Sequence, residues 1–438
     1  MREGLGTMNG TRRASTLIDE SPWTAAHPWY FSRGDLHVHT DRSDGAFSPG
    51  EVQSLAMGLG LDFMAMTDHN TWGPIDLAED GVRLLPGMEL TTTEGHMNVI
   101  APRSLWRDTT AWACTDAPVE ACLSPLLDGL ASPDSFRWVV HPFLYPWHWQ
   151  VGDIPLCFLD GIEIMNQPDR PAAAGATERA LEYWDLLTAS GWRLTGVGGS
   201  DAYHDGSDQR MEDLGSPTTW VMTRHPYPGP RSIVQALKRG RVVVGKGWLV
   251  RMFLGPEGGR ARSLAPGDCI PASPISPSSR EQSAVITVER DLAYDLAETQ
   301  PLLPSRSRPP AEGAGRPPGV CHPPGVCHPP GACHPPGACH PPGACHPRED
   351  LDGGTRLDVV TAGRRSRHSI HWQSADTGQV RVPLDELFQG ARWVRMELRR
   401  GGELLAFTNP FFTDGNEPCG AGSNGKAPPV TWSNVWSC

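Results

Sequence analysis

The chain carries the sequence DLHVHT at residues 35–40, a short run with the alternating pattern of a β-strand. Successive side chains of a strand point to opposite faces, so His37 and His39 share one face while Leu36 and Val38 occupy the other. Two histidines on one face supply half of a metal site, but a His-x-His pair also arises by chance in ordinary strands. The pair therefore indicates a metal site only if further ligands come from elsewhere in the chain.

Further imidazoles and carboxylates stand at or near the ends of other apolar runs. In chain order they are Asp44, Asp68, His69, Glu89, His96, His141, Asp201 and His204. The carboxyl ends of parallel strands meet at one edge of an α/β fold, and such folds place their catalytic groups there. Because charged side chains are costly to bury unpaired, so many of them converging without basic partners predicts bound cations.

Strand-like runs alternate with helical patterns up to about residue 246. The runs include the strands Asp35–His39, Asp62–Thr67 and Arg193–Gly199 and the helices Ser48–Gly58 and Glu178–Ser190. This alternation predicts a parallel α/β architecture over residues 30–245. Beyond it the helical periodicity fades, and the short β-rich runs predict a small β-sandwich-like domain over residues 246–415. These runs are Ala284–Glu289, Arg356–Thr361, Arg392–Leu398 and Leu404–Thr408.

A Pro-Pro-Gly-x-Cys-His repeat interrupts the second region. Five copies run from Pro317 to His346, within a Pro-, Ser- and Arg-rich stretch at about residues 300–354. Paired prolines favour extended backbone and lack amide donors, so we expect an exposed, disordered insertion. Its cysteines and histidines leave two interpretations open, metal capture or an expanded repeat without a selected role. We expect residues 1–29 to be an N-terminal extension and residues 416–438 to be a flexible tail.

The composition excludes several classes of protein. The chain has 38 Lys and Arg against 50 Asp and Glu, a formal net charge of −12, so a general nucleic-acid coat protein is not expected. No apolar run reaches the roughly 18 residues that a membrane span needs. Residues 1–17 also lack the apolar block of a signal peptide. We therefore expect a cytoplasmic protein that does not act on membranes, and its oligomeric state is left open.

The order of the motifs resembles the PHP superfamily, the polymerase and histidinol phosphatase metal-dependent hydrolases, and within it the carbaryl-hydrolase-like (CehA/McbA) group. The similarity covers about residues 33–245 and rests on His-x-His-Thr, Ser-Asp-Gly, Thr-Asp-His-Asn, Gly-Met-Glu, His, His-Pro and Gly-Ser-Asp in that order. Weaker similarity follows at Gly240–Val244, Pro266–Asp268 and Phe407–Pro410. The resemblance implies a distorted (β/α)7 barrel followed by the β-rich domain. It also implies two or three divalent metal ions at the carboxyl ends of the strands.

Carried over position by position, the resemblance implies three cation sites. The first would use His37, His39, Glu89 and Asp201, the second Glu89 as a bridge with His96 and His141, and the third Asp44, His69 and His204. The positive charge of three divalent ions exceeds the negative charge of three ionised carboxylates, so the pocket would favour a small anionic substrate. Mixed imidazole and carboxylate sites accept Zn, Mn and Fe alike, which leaves the identity of the metal open.

One motif departs from the family pattern. The family has Asp-x-His where this chain reads Asp-Ala-Tyr-His at residues 201–204, so Tyr203 stands at the expected ligand position. Either a bulge turns His204 inward, or the third site is lost and Tyr203 faces the substrate.

Other polar residues are expected around the ligands. We expect Asp68 to orient an imidazole, and Glu163 and Asn166 either to support the scaffold or to contact the substrate. Arg42, Arg170 and Arg210 either bind phosphate or are ordinary surface residues.

The expected mechanism uses hydroxide bound to clustered divalent ions, which lower the pKa of bound water to about 7. No catalytic side chain is then needed. The first interpretation is a phosphoesterase acting on a small phosphate ester or a nucleotide. The same centre also fits hydrolysis of a carbamate, ester or amide. A third interpretation is a non-catalytic binding module with a degenerate metal site.

Overall fold

The structure is a computed structural model, and it describes residues 17–18, 29–72, 81–92, 94–105, 129–150, 156–203, 213–256, 262–270, 282–291, 294, 354–388 and 390–413. The Cys-His repeat, the predicted C-terminal tail, His204 and most of the predicted N-terminal extension lie outside the described residues. The fold of the described part is mixed α/β and is dominated by sheet.

The described residues form twenty strands, four α-helices and two short 3₁₀ helices. The strands are β1 Leu17–Ile18, β2 Tyr30–Val38, β3 Phe63–Met66, β4 Arg83–Thr92, β5 Gly95–Ile100, β6 Phe136–Val139, β7 Gly161–Asn166, β8 Thr195–Gly199, β9 Thr218–Thr223, β10 Val242–Gly245, β11 Trp248–Pro256, β12 Arg262–Leu264, β13 Gln282–Arg290, β14 Thr355–Thr361, β15 Arg364–Ser369, β16 His371–Trp372, β17 Thr377–Pro383, β18 Trp393–Arg400, β19 Glu403–Thr408 and β20 Phe411–Phe412. The helices are α1 Pro49–Gly58, α2 Pro171–Ala189, α3 Pro230–Lys238 and α4 Leu384–Phe388, with 3₁₀ turns at Arg103–Leu105 and Leu156–Phe158.

The larger sheet runs in the order β15-β14-β18-β19-β10-β9-β2-β3-β4-β5-β6-β7-β8. The predicted parallel pairing is correct for β2–β3, β3–β4, β6–β7 and β7–β8. It is wrong for β4–β5 and β5–β6, which are antiparallel. The connection from β4 to β5 is only two residues long, and so short a link can join only antiparallel strands.

The two ends of the parallel region come together beyond β8. The backbone N–H of His39 donates to the carbonyl of Ala202 at 3.0 Å, and Val38 and Ala202 form an isolated parallel bridge. The ordered strand path is nevertheless open, and no closed barrel is found among the residues that the structure describes. The (β/α)7 barrel therefore stays a prediction.

Strands from both predicted regions share the larger sheet. Strand β10 pairs with β19, so hydrogen bonds cross the predicted boundary near residue 246. A second sheet has the order β12-β11-β13-β17-β16. Its apolar residues pack in one buried cluster with residues of β14, β18 and β19, for example Met252 and Ile286 with Val359 and Met396. The β-sandwich-like domain and its bounds stay predictions.

Local sequence explains where the helices begin. The backbone N–H and hydroxyl of Ser48 both bond Glu51 Oε2, at 2.9 and 2.7 Å, which is a capping-box contact at the start of α1. Helix α2 begins at Pro171, whose missing N–H has no helical partner to lose.

Two ion pairs, each with a buried arginine, link α2 to the sheet. The guanidinium of Arg395 on β18 bonds both carboxylate oxygens of Asp185 at 2.8 Å, and Arg399 bonds Glu178 at 2.7 and 2.9 Å. No α-helix in the described part of the chain combines the length and the apolar character needed to cross a membrane.

Candidate metal centre

The His-x-His pair lies at the carboxyl end of β2, and both imidazoles are buried. His37 Nε2 lies 3.5 Å from Glu89 Oε2 on β4 and 3.5 Å from Asp201 Oδ1, just after β8. His39 Nε2 lies 3.3 Å and 3.1 Å from the same two oxygens. The four residues predicted for the first cation site therefore face one another.

Glu89 divides the imidazoles into two sets. Its Oε2 faces His37 and His39, while its Oε1 lies 2.8 Å from His96 Nδ1 and 3.4 Å from His141 Nε2. His69 Nδ1 also lies 2.9 Å from Oε2. A carboxylate with imidazoles on both oxygens has the arrangement of a bridging ligand.

All eight predicted ligands that the structure describes fall into groups of three whose ligand atoms lie within 4.8 Å of one another. The groups are His37–His141–Asp201, His37–His39–Glu89, His39–Asp44–His69 and His69–Glu89–His96. His39 belongs to two groups. A neutral imidazole coordinates through one nitrogen, so His39 can serve only one of them at a time.

The separations test whether these residues fit a cation. Two ligand atoms bound about 2.1 Å from one ion at a tetrahedral angle lie roughly 3.4 Å apart. The four separations that join His37 and His39 to Glu89 and Asp201 are 3.1–3.5 Å, close to this spacing. All but the 3.1 Å separation of His39 and Asp201 are longer than a good hydrogen bond. His96, in contrast, contacts Glu89 at hydrogen-bond distance.

Buried polar atoms without a hydrogen-bond partner also indicate that the cluster fits a cation. Within the described part of the chain, His37 Nε2, both ring nitrogens of His39 and Glu89 Oε2 are buried without a hydrogen-bond partner. Each such atom costs about 1–3 kcal/mol if nothing replaces the water it lost. His37 Nε2, His39 Nε2 and Glu89 Oε2 face one another, so one cation among them would satisfy several at once, whereas His39 Nδ1 faces Asp44.

The backbone is strained where two ligands leave their strands. His141 follows β6 with φ of 31°, and Asp201 follows β8 with φ of 49°. Non-glycine residues rarely adopt this left-handed region, and such strain clusters at functional sites. Close packing explains the approach of β8 to β2: a Cβ on Gly199 would lie 2.3 Å from the Cβ of His37. Only glycine fits at this position.

Asp44 lies on the turn that follows β2. Its carboxylate is 3.4 Å from His39 Nδ1 and 3.4 Å from His69 Nε2. Asp68 accepts hydrogen bonds from the backbone and hydroxyl of Thr40 and from the hydroxyl of Ser43, at 2.7–3.0 Å. Its hydrogen bonds therefore hold the turn that carries Asp44, whereas the sequence analysis expected it to orient an imidazole.

Glu163 contacts the His37 ring at Nδ1, the nitrogen that faces away from Glu89 and Asp201. It is buried on β7, and its Oε1 lies 3.2 Å from His37 Nδ1. Its Oε2 accepts hydrogen bonds from the backbone of His141 at 2.8 Å and from the side-chain amide of Asn166 at 3.0 Å. Glu163 thus adjoins two predicted ligands, and Asn166 bonds Glu163; whether either residue contacts a substrate stays a prediction.

Sequence reasoning missed Asp35. This fully buried carboxylate accepts backbone hydrogen bonds from His37 and Ser200 at 3.1 Å and from Gly215 at 2.8 Å. It joins the end of β2 to the segment after β8, and burial raises its pKa. Its position two residues before His37 was the available signal, but the pattern of one strand does not reveal a partner 165 residues away.

Tyr203 is described, but His204 lies outside the described residues, so the choice between the two interpretations of this motif stays open. The Tyr203 hydroxyl accepts a hydrogen bond from Arg170 Nη1 at 3.2 Å, and the guanidinium lies 5.3 Å from the centre of the ring. Arg170 directly precedes helix α2.

The ionisable groups shift one another's pKa. Burial lowers the pKa of His37, but three nearby carboxylates outweigh it and hold this pKa well above its usual range. Burial raises the pKa of Glu89, but the surrounding imidazoles hold it well below its usual range. A hydrogen bond with His69 and nearby imidazole charge outweigh burial at Asp44 and lower its pKa to about 2. At His96 burial prevails and lowers the pKa.

The cluster has a buried base and an open side. The side chains of His37, His39 and Glu89 are 0–1% exposed, whereas those of Asp201, His69 and Asp44 are 17%, 21% and 37% exposed. Among the described residues, the cluster is therefore most exposed on the side that carries Asp44 and His69.

Comparison with known proteins gives short sequence matches. No family model matches the chain. A 5′-3′ exoribonuclease of Haemophilus influenzae is 40% identical over 63 residues, which cover 13% of this chain and 23% of that protein. A 5′-3′ exoribonuclease of Salmonella typhimurium is 34% identical over 70 residues, 14% of this chain and 24% of that protein. The matches thus span about a quarter of the length of these curated relatives.

The solved structures that resemble the chain include a two-domain protein of Bacteroides vulgatus. It contains a predicted PHP-like metal-dependent phosphoesterase, and it aligns at a TM-score of 0.36 and 14% identity over 87% of this chain and 96% of that chain. The structural neighbours are PHP-like, at low similarity.

Proposed function

We propose that the chain is a metal-dependent hydrolase of the PHP type that cleaves a small phosphate ester. The supporting observation is the buried Glu89 carboxylate, which has imidazoles on both oxygens and a second carboxylate, Asp201, across the cluster. In the part of the chain that the structure describes, the ion pairs of Glu89 and Asp201 are all with histidines. A mixed imidazole and carboxylate set without lysine or arginine suits divalent cations.

The proposed cofactors are two or three divalent ions, with Zn, Mn and Fe as the candidates. His37, His39, Glu89 and Asp201 would hold the first, and Glu89, His96 and His141 the second; Asp44, His69 and His204 are the proposed ligands of a third. When bound, such ions supply Lewis acidity that lowers the pKa of water and neutralises phosphoryl oxygens.

The residues at the open side would receive the substrate. Arg170 lies near Asp201 and is held by Tyr203, so its guanidinium offers a cation beside the ligands for an anionic group. The buried base excludes water from behind His37 and His39. The proposal names a small anionic molecule as the partner of the protein.

The finer proposals come from the sequence. The resemblance places the chain in the carbaryl-hydrolase-like group with a distorted (β/α)7 barrel, the β-rich runs suggest a β-sandwich-like second domain, and the composition suggests a cytoplasmic location. That group makes carbamate, ester or amide hydrolysis the competing reaction for the same centre. A binding module with a degenerate site is the non-enzymatic competitor.

A substrate panel with elemental analysis tests the proposal. The panel contains p-nitrophenyl phosphate, nucleotides, a 5′-phosphorylated RNA oligonucleotide suggested by the names of the curated relatives, and aryl esters and carbamates. We expect phosphate-ester turnover that is removed by chelation and restored by Mn²⁺ or Zn²⁺. Turnover of carbamates or carboxylic esters alone would overturn the phosphoesterase proposal. A protein that is purified with less than one equivalent of metal and stays inert after Mn²⁺ or Zn²⁺ is added would favour the binding module.

Two variants sharpen the test. His141→Ala removes a proposed ligand and should lower turnover by at least about 100-fold. This loss is larger than the loss that typically follows when a residue that only orients a ligand is replaced. The control is His148→Ala. His148 lies in the same loop but belongs to none of the ligand groups, so we expect this variant to keep turnover within about twofold of the wild type. Full turnover in His141→Ala would remove His141 from the site.

A further inference from the structure

Glu163 contacts two of the proposed ligands at once without belonging to any ligand group. It lies on β7, its carboxylate is fully buried, and it joins His37 on β2 to the turn after β6. Gly199 on β8 packs directly against it, since a Cβ there would lie 2.6 Å from Glu163 Oε1. The carboxylate therefore has little room to move.

The contact with His37 determines which ring nitrogen carries the proton. A carboxylate only accepts hydrogen bonds, so the His37 Nδ1 that faces Glu163 Oε1 at 3.2 Å must be protonated. The neutral ring then has its lone pair on Nε2. That nitrogen faces Glu89 and Asp201, where a cation would bind.

The second oxygen of Glu163 holds the backbone of another ligand. Oε2 accepts the N–H of His141 at 2.8 Å, at the residue whose φ of 31° is strained. The amide of Asn166 donates to the same oxygen at 3.0 Å, which leaves Oε1 for His37. One carboxylate thus orients the ring of His37 and supports the strained turn at His141.

We propose that Glu163 is a positioning residue that keeps His37 in the tautomer able to bind a cation and holds the turn of His141. The inference rests on the metal-binding part of the proposed function. Residues in this role typically change metal affinity 10- to 100-fold when they are replaced.

Glu163→Gln separates this role from simple packing. The two N–H donors at the Oε2 position favour the amide oxygen there, which turns the amide NH₂ toward His37 Nδ1. A donor at that place favours the tautomer with the proton on Nε2, and that nitrogen then has no lone pair for a cation. The substitution changes almost no volume, so the fold should persist.

The matched control is Asp160→Asn, the same change of carboxylate to amide at the residue that directly precedes β7. Asp160 pairs with Arg137 and Lys238 and has no contact with the ligand cluster among the described interactions. It should lower stability while leaving Zn²⁺ affinity within about twofold of the wild type. Glu163→Asp keeps an acceptor and should recover part of the affinity that Glu163→Gln loses.

Calorimetric Zn²⁺ titration of the metal-stripped protein measures the effect without a substrate. We expect Glu163→Gln to lower the affinity of one bound ion about 10- to 100-fold. In ¹⁵N-histidine NMR of the zinc-loaded protein, we expect loss of the hydrogen-bonded Nδ1–H signal of His37. Wild-type affinity in Glu163→Gln, or equal losses in Glu163→Gln and Asp160→Asn, would overturn the inference; if Glu163→Gln does not fold, wild-type affinity or complete loss in Glu163→Asp would do so.

These results stand apart from the proposed function. A protein that binds Zn²⁺ as described but hydrolyses nothing would refute the hydrolase proposal alone. A protein that turns over phosphate esters with unchanged Zn²⁺ affinity in Glu163→Gln would refute the role of Glu163 alone.

Discussion

Cation binding should release protons from His37 and His69. Burial lowers the pKa of His37, but nearby carboxylates outweigh it and raise this pKa well above its usual range. Burial also lowers the pKa of His69, but the charge of Glu89 and contact with Asp44 outweigh it and raise this pKa. Both rings therefore keep a proton to higher pH than a free imidazole does, and a ring nitrogen must lose its proton before it can bind a cation.

The size of the effect follows from proton counting. Each histidine contributes one proton, so the affinity of the ion that it binds should rise about tenfold per pH unit between pH 6.5 and its raised pKa. Folding stability of the metal-free protein should change in the opposite direction. A histidine whose pKa is raised in the folded state stabilises the fold. This stabilisation is complete below the pKa of the unfolded state, about 6.5, and is lost as pH rises through the pKa of the folded state.

Titration calorimetry measures the proton count directly. Zn²⁺ is titrated at one pH in two buffers of different ionisation enthalpy, and the difference in heat gives the protons released. His37→Gln should release one proton fewer than the wild type, whereas Asp160→Asn should match it. A wild-type count near zero, or an affinity that is constant between about pH 6.5 and 8, would refute the role given to these carboxylates.

Three further predictions concern packing and charge. Gly199→Ala should lower the free energy of unfolding by about 1–3 kcal/mol or more and weaken Zn²⁺ binding, because the added methyl overlaps its neighbours. Gly175→Ala, in the open on helix α2, should instead stabilise by about 0.5–1 kcal/mol, and equal effects in denaturant titrations would contradict the packing argument. Arg395→Met removes a fully buried guanidinium from the partly exposed Asp185 and from the buried Glu397, which keeps two other arginine partners, and should cost about 1.5–3 kcal/mol. Arg231→Ala breaks an ion pair whose arginine is 71% exposed and should cost at most about 1 kcal/mol, so similar losses would refute the burial argument. Asp68→Asn should loosen the turn of the Asp44 group and remove the weakest bound ion while the tightest keeps its affinity, and a calorimetric stoichiometry equal to that of the wild type would count against this.

The ligand cluster was predictable because each ligand stands beside a recognisable strand. The period of two placed His37 and His39 on one face, and the apolar runs before His69, His141 and Asp201 marked the strand ends. Parallel strands gather such ends at one edge, so residues far apart in the chain meet. The eight predicted ligands that the structure describes do lie together, although the resemblance rather than the spacing grouped them into sites.

The rest depended on contacts that no local pattern encodes. The antiparallel pairs of β5 break the predicted parallel order, and β14, β18 and β19 join the larger sheet rather than forming a sheet of their own. The partners of Asp35 and Glu163 lie on other strands, so only the folded chain identifies them. Asp68 looked like a support for a ring because it precedes His69, but its side chain turns to Thr40.

Two ways of burying charge distinguish the ligand cluster from the rest of the fold. Between α2 and β18, the buried guanidinium of Arg395 lies between Asp185 and Glu397: it donates hydrogen bonds to Asp185 at 2.8 Å and forms an ion pair with Glu397 at 2.6 Å. At the cluster, Glu89 and Asp201 meet His37 and His39 only at 3.1–3.5 Å, and the buried nitrogens there have no partner among the described residues. In the first arrangement the opposite charges already compensate one another. The second costs stability until something binds between the side chains, because each unpartnered atom has lost its water. A sequence selected only for stability would not retain that cost together with strained backbone at two of the same ligands, which is why the cluster is better explained by a bound cation than by packing.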